Sequence, residues 1–274
     1  MEQDNLLKEI QKAELYLLVE FDRVCREHGF TYFLDSGTAL GAVRHGGFIP
    51  WDDDIDVGMP RKDYDRFMEI GQSLLPKNIF LQNRQTEKNY IRYAAKLRLE
   101  GTVFQETDEL PYEHNGFFID IFPFDNVPSK ENKARRNIKF MVGLIHILKS
   151  YTREGDCMSH SILKRQMFRL LRRLPQKWFN AFEKASLRFA RKRQDKETGK
   201  MSCYFWKMSL NKQYIFETDR MLPVKDVSFE GHDVKIMRDP DYYLTKMYGD
   251  YMQLPPVEQR EYHRASDGII NFGQ

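Results

Sequence analysis

Four carboxylates within five positions give the sequence its strongest chemical signal. They are Asp52, Asp53, Asp54 and Asp56. If the segment is a strand, side chains two positions apart share a face, so Asp54 and Asp56 project together while Ile55 faces a core. Paired carboxylates at a strand end suit Mg²⁺ or Mn²⁺, because these ions prefer oxygen ligands and often bridge substrate phosphates.

Two other interpretations of this acidic segment stay open. The first is an acidic surface turn, although hydrophobic residues flank the cluster closely. The second is a calcium loop, since Asp52, Asp54 and Asp56 take the first, third and fifth places of an EF-hand. Val57 stands where that loop needs glycine, and Asp63 replaces its final Glu. The pattern therefore favours a magnesium-type site over calcium.

A turn upstream of the acidic segment can bind an anion. Ser36-Gly37-Thr38 follows a predicted strand and opens a short helix, where free N–H groups and the helix dipole favour negative charge. Gly37 lets a phosphate approach the backbone, and the neighbouring hydroxyls can donate to it. The alternative is an ordinary helix cap.

A third carboxylate, Asp120, lies inside the apolar run Gly116–Phe122. A charge in such a run is unusual unless it is paired or binds a metal. Asp120 would complete a three-carboxylate metal site with Asp54 and Asp56. The alternative is a structural, hydrogen-bonded aspartate.

Several blocks of sequence together resemble one known family. The blocks are residues 36–45 (SGTALGAVRH), 47–56 (GFIPWDDDID), 118–123 (FIDIFP), 96–98 with 101–102, and 248–256. They are similar to the LicD-type phosphotransferases, relatives of the fukutin-type proteins with a nucleotidyltransferase fold. The resemblance extends over roughly residues 31–256.

The resemblance implies transfer of a phosphorylated alcohol, typically phosphocholine from CDP-choline. The acceptor would be a hydroxyl of a cell-surface glycan, such as lipopolysaccharide or teichoic acid, or of its lipid-linked precursor, with CMP as the other product. Asp54 and Asp56 would hold metal against the diphosphate. Asp120 would complete the metal site and accept the proton of the attacking hydroxyl, while Gly37 and Thr38 would contact phosphate.

Phosphoryl transfer also needs cationic side chains, because it depends on positioning and charge neutralisation. The candidates are Arg44, Lys96 and Arg98. A quaternary ammonium group would in turn be held by aromatic faces. The candidates for that contact are Trp51, Tyr93 and Tyr248. Surface charges and core or rim aromatics are the alternatives.

The elements that must position these residues follow from hydrophobic periodicity. The pattern predicts helices over 4–28, 39–44 and 60–75, and strands over 30–34, 54–59, 79–82, 93–99 and 116–122. Strands alternating with helices indicate an α/β (α+β) fold. The resemblance implies that this fold is a nucleotidyltransferase-like core with a mixed sheet. We expect this catalytic core to span residues 1–128.

Residues 129–200 form a basic section, with 20 Lys and Arg against 6 Asp and Glu between residues 130 and 200. The pattern predicts a basic helical insertion or subdomain, with an apolar stripe at Leu163, Met167, Leu170 and Leu174. Such helices can lie on an anionic membrane or pack on the core. Residues 201–274 are expected to pack back on the core, and to be irregular from 221 onward.

The composition excludes several classes. The chain has 274 residues, a formal net charge of +3 and 41% hydrophobic residues, which excludes disorder and gives no reason to expect nucleic-acid binding. Its three cysteines lack disulfide or zinc spacing, and the acidic N-terminus is unlike a signal peptide. We expect a cytoplasmic protein, with peripheral contact to the inner membrane face as an open option.

Two rival functions remain at this stage. The same carboxylates would serve a nucleotidyltransferase that acts on a small acceptor. A non-catalytic module that binds glycan or phosphocholine could also retain the fold. The sequence does not distinguish choline from ethanolamine, ribitol or glycerol as the headgroup.

Overall fold

A mixed sheet of seven strands forms the centre of the protein. The computed structural model describes residues 2–87, 90, 94–104, 114–140, 166, 173, 175–192, 196, 198–204, 214–260 and 270–271. The strands of this sheet are β1 (Phe33–Leu34), β2 (Asp56–Pro60), β3 (Ile79–Gln82), β4 (Ala95–Leu99), β6 (Phe118–Asn126), β7 (Lys200–Cys203) and β8 (Phe216–Glu217).

Two smaller antiparallel pairs and the helices complete the described structure. The pairs join β5 (Val103–Phe104) to β11 (Ile270–Asn271), and β9 (Lys225–Phe229) to β10 (His232–Ile236). The helices are α1 (Glu2–His28), α2 (Ser36–His45), α3 (Arg61–Leu74), α4 (Gln176–Arg191), α5 (Thr218–Met221) and α6 (Pro240–Tyr248). Residues 131–140 are also helical.

The strand order β1–β2–β6–β4–β3 places β2 and β6 side by side. These two strands are parallel, and the other pairs of the sheet are antiparallel. The expectation of a mixed α/β fold is therefore confirmed. Because the acidic strands β2 and β6 are neighbours, their first residues lie together at one end of the sheet.

One face of the sheet is apolar and is covered by helices. Val57 and Ile121 belong to a buried core that also contains Leu17 and Phe21 of α1 and Phe67 of α3. The rings of Phe21 and Phe67 pack edge to face, with centroids 5.3 Å apart. Alternation along the strands directs the next side chains to the opposite face. That second face carries the polar residues described below.

The strand around the acidic segment is shorter than predicted. β2 begins at Asp56, so Asp54 lies in the preceding loop and not two places earlier in the same strand. The loop is held by the Asp52 N–H, which donates to the Ile49 carbonyl at 2.9 Å. The two carboxylates therefore reach the site from different elements.

The expectation of an irregular segment from residue 221 is wrong. The chain instead forms the β9–β10 hairpin and the helix α6, which contacts α2. Asp239 caps α6 by accepting from the Tyr242 N–H at 3.0 Å, and Pro240 takes the first turn. The sequence does carry a hairpin signal, since Val227, Phe229, Val234 and Ile236 alternate with polar residues on either side of Glu230-Gly231. Phe229, Val234 and Ile236 are buried in the core.

The basic section is described only in part. Leu163, Met167, Leu170 and Leu174 lie outside the described residues, whereas residues 131–140 and α4 are helical as predicted. Arg191 of α4 donates to both oxygens of Asp65 on α3, at 2.7 and 3.0 Å, which attaches the helix to the core. Within the described ranges, no helix is long and apolar enough to cross a bilayer. The domain boundaries stay a prediction.

Candidate active site

Three residues that the sequence singled out lie side by side on three neighbouring strands. Asp56 of β2 pairs in register with Asp120 of β6, and Asp120 pairs with Lys96 of β4. Residues in register share a face of the sheet, so the three side chains project to the same side. We call Asp56, Asp120 and Lys96 the catalytic row.

Lys96 is the cation of the catalytic row. Its ammonium lies 3.3 Å from the Asp120 Oδ2 and 3.0 Å from the centroid of the Phe118 ring. The Lys96 side chain is buried, whereas that of Asp120 is 16% exposed. The Asp120 carboxylate therefore faces the open side of the site. The Lys96 ammonium, which compensates its charge, lies beneath it.

The N-terminus of α2 abuts the catalytic row. The Thr38 hydroxyl accepts from the Asp56 N–H at 2.8 Å, and the Asp35 N–H donates to the Asp56 carbonyl at 2.9 Å. A Cβ on Gly37 would lie 2.9 Å from Asp52 Oδ2, so the glycine permits close approach of the acidic loop. The predicted phosphate-binding turn and the acidic strand are thus assembled as one unit.

The turn itself is fixed by a buried pair from distant parts of the chain. The Tyr243 hydroxyl of α6 donates to Asp35 Oδ1, which also accepts from the Ser36 N–H at 2.9 Å. Burial raises the pKa of Asp35 to about 6, and these two hydrogen bonds oppose the rise. Ser36 has a φ of +45°, a conformation uncommon for a residue with a side chain.

Negative charge accumulates around Asp56. Burial, and then the charges of Asp54 and Asp120, raise the pKa of Asp56 well above its ordinary value. Clustered carboxylate oxygens have the donor chemistry that suits Mg²⁺ or Mn²⁺. Within the described ranges, no group of three or more His, Cys, Asp or Glu side chains is arranged to hold a metal ion. The donor set therefore fits a divalent cation chemically, but its ligands are not preassembled.

An unpredicted carboxylate approaches from α1. Glu14 is buried, and burial, followed by the charges of Asp54 and Asp53, raises its pKa well above the ordinary value. One turn earlier, the Gln11 side chain donates to the Asp52 carbonyl at 2.8 Å. The helix α1 thus closes one side of the acidic loop.

The two arginines that were candidates for phosphate contact differ in burial. Arg98 is fully buried, and its guanidinium donates to Gln82 Oε1 and to the Gly116 carbonyl, both at 2.9 Å. This position supports the strands beneath the site. Arg44 is partly exposed and donates to the Tyr251 carbonyl at 2.9 Å. It lies on the rim, within reach of solvent.

The three aromatic candidates for ammonium binding also differ in their surroundings. Tyr248 is 44% exposed, yet burial of its hydroxyl end and the charges of Asp35 and Asp56 raise its pKa. It therefore faces the acidic site. The ring of Trp51 lies 4.5 Å from the Arg260 guanidinium, which occupies the face proposed for an ammonium group. Tyr93 lies outside the described residues.

Sequence reasoning missed Glu14, Asp35 and Tyr243. Glu14 had a signal, because it is a charge at an apolar position of the α1 periodicity. Asp35 directly precedes the phosphate-type turn, at the N-cap position. No local sequence signal marks Tyr243, since its partner Asp35 is 208 residues away.

The sequence is similar to several known proteins. Residues 29–160 match the profile described as LicD/FKTN/FKRP, nucleotidyltransferase domain. The lipopolysaccharide cholinephosphotransferase LicD of Haemophilus influenzae is 28% identical over 272 residues, which is 96% of this chain and 98% of that protein. The chain resembles the LicD family. It is homologous to a transferase along almost its whole length, so its family resemblance is confirmed.

A second LicD-family relative is more distant. The ribitol 5-phosphate transferase FKRP of Mus musculus is 30% identical over 101 residues, which cover 35% of this chain and 17% of that protein. The two relatives are named for different phosphorylated alcohols. Resemblance to the LicD family therefore does not by itself fix the headgroup.

Proposed function

We propose that this chain transfers phosphocholine from CDP-choline to a hydroxyl of a cell-surface glycan, or of its lipid-linked precursor, and releases CMP. The observation that carries the proposal is the catalytic row, in which Asp56, Asp120 and Lys96 face one side of the sheet. The name of the Haemophilus relative supports choline as the headgroup and lipopolysaccharide as the acceptor. Ribitol is the next headgroup to test, because of the mouse relative.

We further propose that the reaction uses Mg²⁺ or Mn²⁺ held by Asp54, Asp56 and Asp120. The raised pKa of Asp56 supports this assignment, since a cation would relieve the repulsion that burial and the neighbouring carboxylates create. When bound, such an ion neutralises the donor diphosphate and stabilises the leaving CMP.

The side chains of this protein would divide the remaining work. The acceptor oxygen attacks the phosphorus of the phosphocholine group, and the bond from that phosphorus to the CMP oxygen breaks. Asp120 takes the proton of the acceptor hydroxyl, and Lys96 at 3.3 Å stabilises the carboxylate before that transfer. The donor phosphates lie against the N-terminus of α2, where Gly37 and Thr38 are available.

We place the reaction in the cytoplasm, a reducing compartment. The three cysteines of the sequence lack disulfide spacing, which suits that compartment. Tyr248 at the rim of the site is our candidate for contact with the ammonium group, and Arg44 for contact with the acceptor or the diphosphate.

A product assay with purified protein tests this function. CDP-choline, CDP-ethanolamine, CDP-ribitol and CDP-glycerol are supplied with Mg²⁺ and delipidated lipopolysaccharide, and released CMP is measured. We expect CMP with CDP-choline and none after chelation. Release of pyrophosphate from CTP or ATP instead would favour a nucleotidyltransferase, which the name of the matched domain keeps as the second candidate.

A further inference from the structure

Two helices outside the candidate active site expose aromatic side chains. They are α4 and the helix of residues 131–140. Trp178 of α4 and Phe140 are each 52% exposed. The ring centroids of Phe140 and Phe189 are 5.0 Å apart, so the two helices adjoin. Exposed apolar groups shared by adjoining elements mark interaction sites, and the proposed function uses neither helix.

The contacts of α4 with the core show which face of this helix points outward. Leu187 lines a cavity beside α3, and Arg191 donates to Asp65 of α3. Trp178 is nine positions before Leu187, which places it about 180° away around a helix of 3.6 residues per turn. Phe189 is eleven positions after Trp178 and therefore within about 20° of it. The two rings lie on one line, about 16 Å long, on the side of α4 that faces away from α3.

Basic side chains border this aromatic line along one side. Three exposed cations lie about 80–120° around α4 from Trp178, all in the same direction. They are Lys177, Lys184 and Arg188. Long Lys and Arg side chains can keep their charge in a polar layer while their methylene groups rest on an apolar one. The outward surface of α4 is therefore amphipathic, with aromatic and cationic side chains next to each other.

The helix of residues 131–140 repeats this combination. Ala134 and Ile138 are fully buried, so their side of the helix packs inward. Phe140 lies about 160° from Ile138 around the helix, on the outward side. Lys133 and Arg136 are exposed and share the face of Phe140, because they precede it by seven and four positions. We call the aromatic line, Phe140 and the exposed cations of both helices the basic aromatic surface.

The charge of the basic aromatic surface favours an anionic partner. The two helices contain eight Lys and Arg and two Glu, a formal charge of +6. One of the two glutamates, Glu131, lies 3.4 Å from Arg135 and is paired within its own helix. A partner of negative charge is therefore attracted over the whole surface.

The exposed aromatic rings restrict the partner further. An anionic bilayer matches both properties of the surface, because it presents lipid phosphates at its boundary with water and acyl chains directly beneath them. Trp and Phe side chains of amphipathic helices enter this boundary, and Lys and Arg bind the anionic lipids. A polyanion without an apolar layer would match the charge alone.

We propose that the basic aromatic surface binds an anionic membrane, with Trp178 and Phe140 among the lipid headgroups. The cations of α4 and of the helix 131–140 then lie against the lipid phosphates. The protein is thereby held where a lipid-linked acceptor is displayed. This inference rests on the proposed function for the acceptor alone, and membrane binding is measured without turnover.

Vesicle co-sedimentation of the full chain is the direct test. Vesicles of phosphatidylcholine, with and without phosphatidylglycerol, are used at low and high salt. We expect binding that requires phosphatidylglycerol and weakens as salt increases. Trp178→Asp should weaken this binding at least about tenfold. Ile70→Asp, which changes a side chain of α3 that is 39% exposed, is the matched control and should bind like the unmodified protein.

Two further variants separate the aromatic contribution from the cationic one. Brominated lipids should quench the tryptophan fluorescence of the unmodified protein, and Trp178→Phe should lose most of this quenching while it still binds. Lys184→Glu combined with Arg188→Glu should weaken binding at least about tenfold. Lys225→Glu, which changes an exposed cation on β9, should have little effect.

The outcomes distinguish the membrane surface from its rivals and from the proposed function. Absence of salt-sensitive binding to the anionic vesicles, or equal losses in Trp178→Asp and Ile70→Asp, would overturn the proposal. A dimer that Trp178→Asp dissociates, without vesicle binding, would make a second copy of the chain the partner and would overturn it too. Vesicle binding without CMP release would support the membrane surface and contradict the proposed function.

Discussion

The hydroxyl of Tyr243 donates a hydrogen bond to the carboxyl of Asp35, although 208 residues separate them in the chain. Both side chains are buried. Asp35 is the N-cap of α2, the helix that begins with the phosphate-type turn Ser36-Gly37-Thr38. The helix α6 thus fixes the N-terminus of α2 at the site. Contacts this distant in sequence make the two ends of the chain energetically dependent on each other.

Removing the Tyr243 hydroxyl should destabilise the protein. Tyr243→Phe removes one of the two hydrogen-bond donors to the buried Asp35 carboxyl, which costs about 1–3 kcal/mol of unfolding free energy. Urea denaturation measures this loss. Tyr16→Phe, which removes an exposed hydroxyl, should change stability by less than about 0.5 kcal/mol. Equal effects of the two substitutions would contradict the role of the buried pair.

The pKa of Asp35 predicts a pH dependence of stability. Because the folded state raises this pKa from 3.8 to about 6, the folded state binds the proton more tightly than the unfolded state. Its contribution is fully present below about pH 4 and is lost as the pH rises through 6, by about 3 kcal/mol in total.

The measurement is the difference in unfolding free energy between the unmodified protein and Asp35→Asn, from pH 4 to 8. It is made with a chelator present. Taking the difference removes the parallel contribution of Glu14 and most of that of Asp56, whose pKa is raised chiefly by burial and by Asp54 and Asp120. A difference that does not change with pH would show that Asp35 titrates normally.

Gly37→Ala should separate activity from stability. The added Cβ would meet Asp52 Oδ2 at 2.9 Å, so the carboxylate must move. In the first turn of α2, alanine favours the helix by up to about 1 kcal/mol relative to glycine. We therefore expect at least a tenfold loss of kcat with unchanged or slightly higher thermal stability. A variant with full activity would show that Asp52 does not need its present position.

A buried ion pair secures the far end of the acidic strands. The Arg61 guanidinium donates to both oxygens of Asp125, at 2.7 and 2.9 Å, and both side chains are almost fully buried. Asp125→Ala removes the bidentate partner of the buried Arg61 guanidinium, although Asp65 lies 3.5 Å from it, and should cost up to about 3–5 kcal/mol. Asp226→Ala breaks an exposed pair with Arg26 and should cost less than about 1 kcal/mol. Chemical denaturation of the two variants gives the comparison.

Local patterns were sufficient to predict much of the core. Alternation predicted the strands at 79–82 and 116–122, and the 3.6-residue periodicity predicted α1 and α3. Type and spacing of the carboxylates placed Asp56 and Asp120 in one site. The shared row with Lys96 could not be predicted, because it depends on the order of β2, β6 and β4 in the sheet.

Other features depend on tertiary contacts that no local pattern encodes. Arg98 looked like a candidate for phosphate binding, yet the strands bury it and the Gly116 carbonyl accepts its hydrogen bond. Trp51 is stacked by Arg260, which lies 209 positions later in the chain. The β9–β10 hairpin is different, because its strands alternate polar and apolar residues and bury Phe229, Val234 and Ile236, so a local signal for it was present in the sequence.

The most direct test of the catalytic row is the rate of CMP release from CDP-choline by Asp120→Asn in the presence of Mg²⁺. Asparagine preserves the shape of the side chain, but it removes the negative charge beside Lys96 and cannot take a proton. We predict a loss of kcat of about 10³-fold or more, measured at a temperature at which the variant is folded, because the substitution also leaves the buried Lys96 ammonium without this carboxylate. Asp233→Asn, an exposed control, should retain full activity. An Asp120→Asn variant that released CMP at the normal rate would contradict the account.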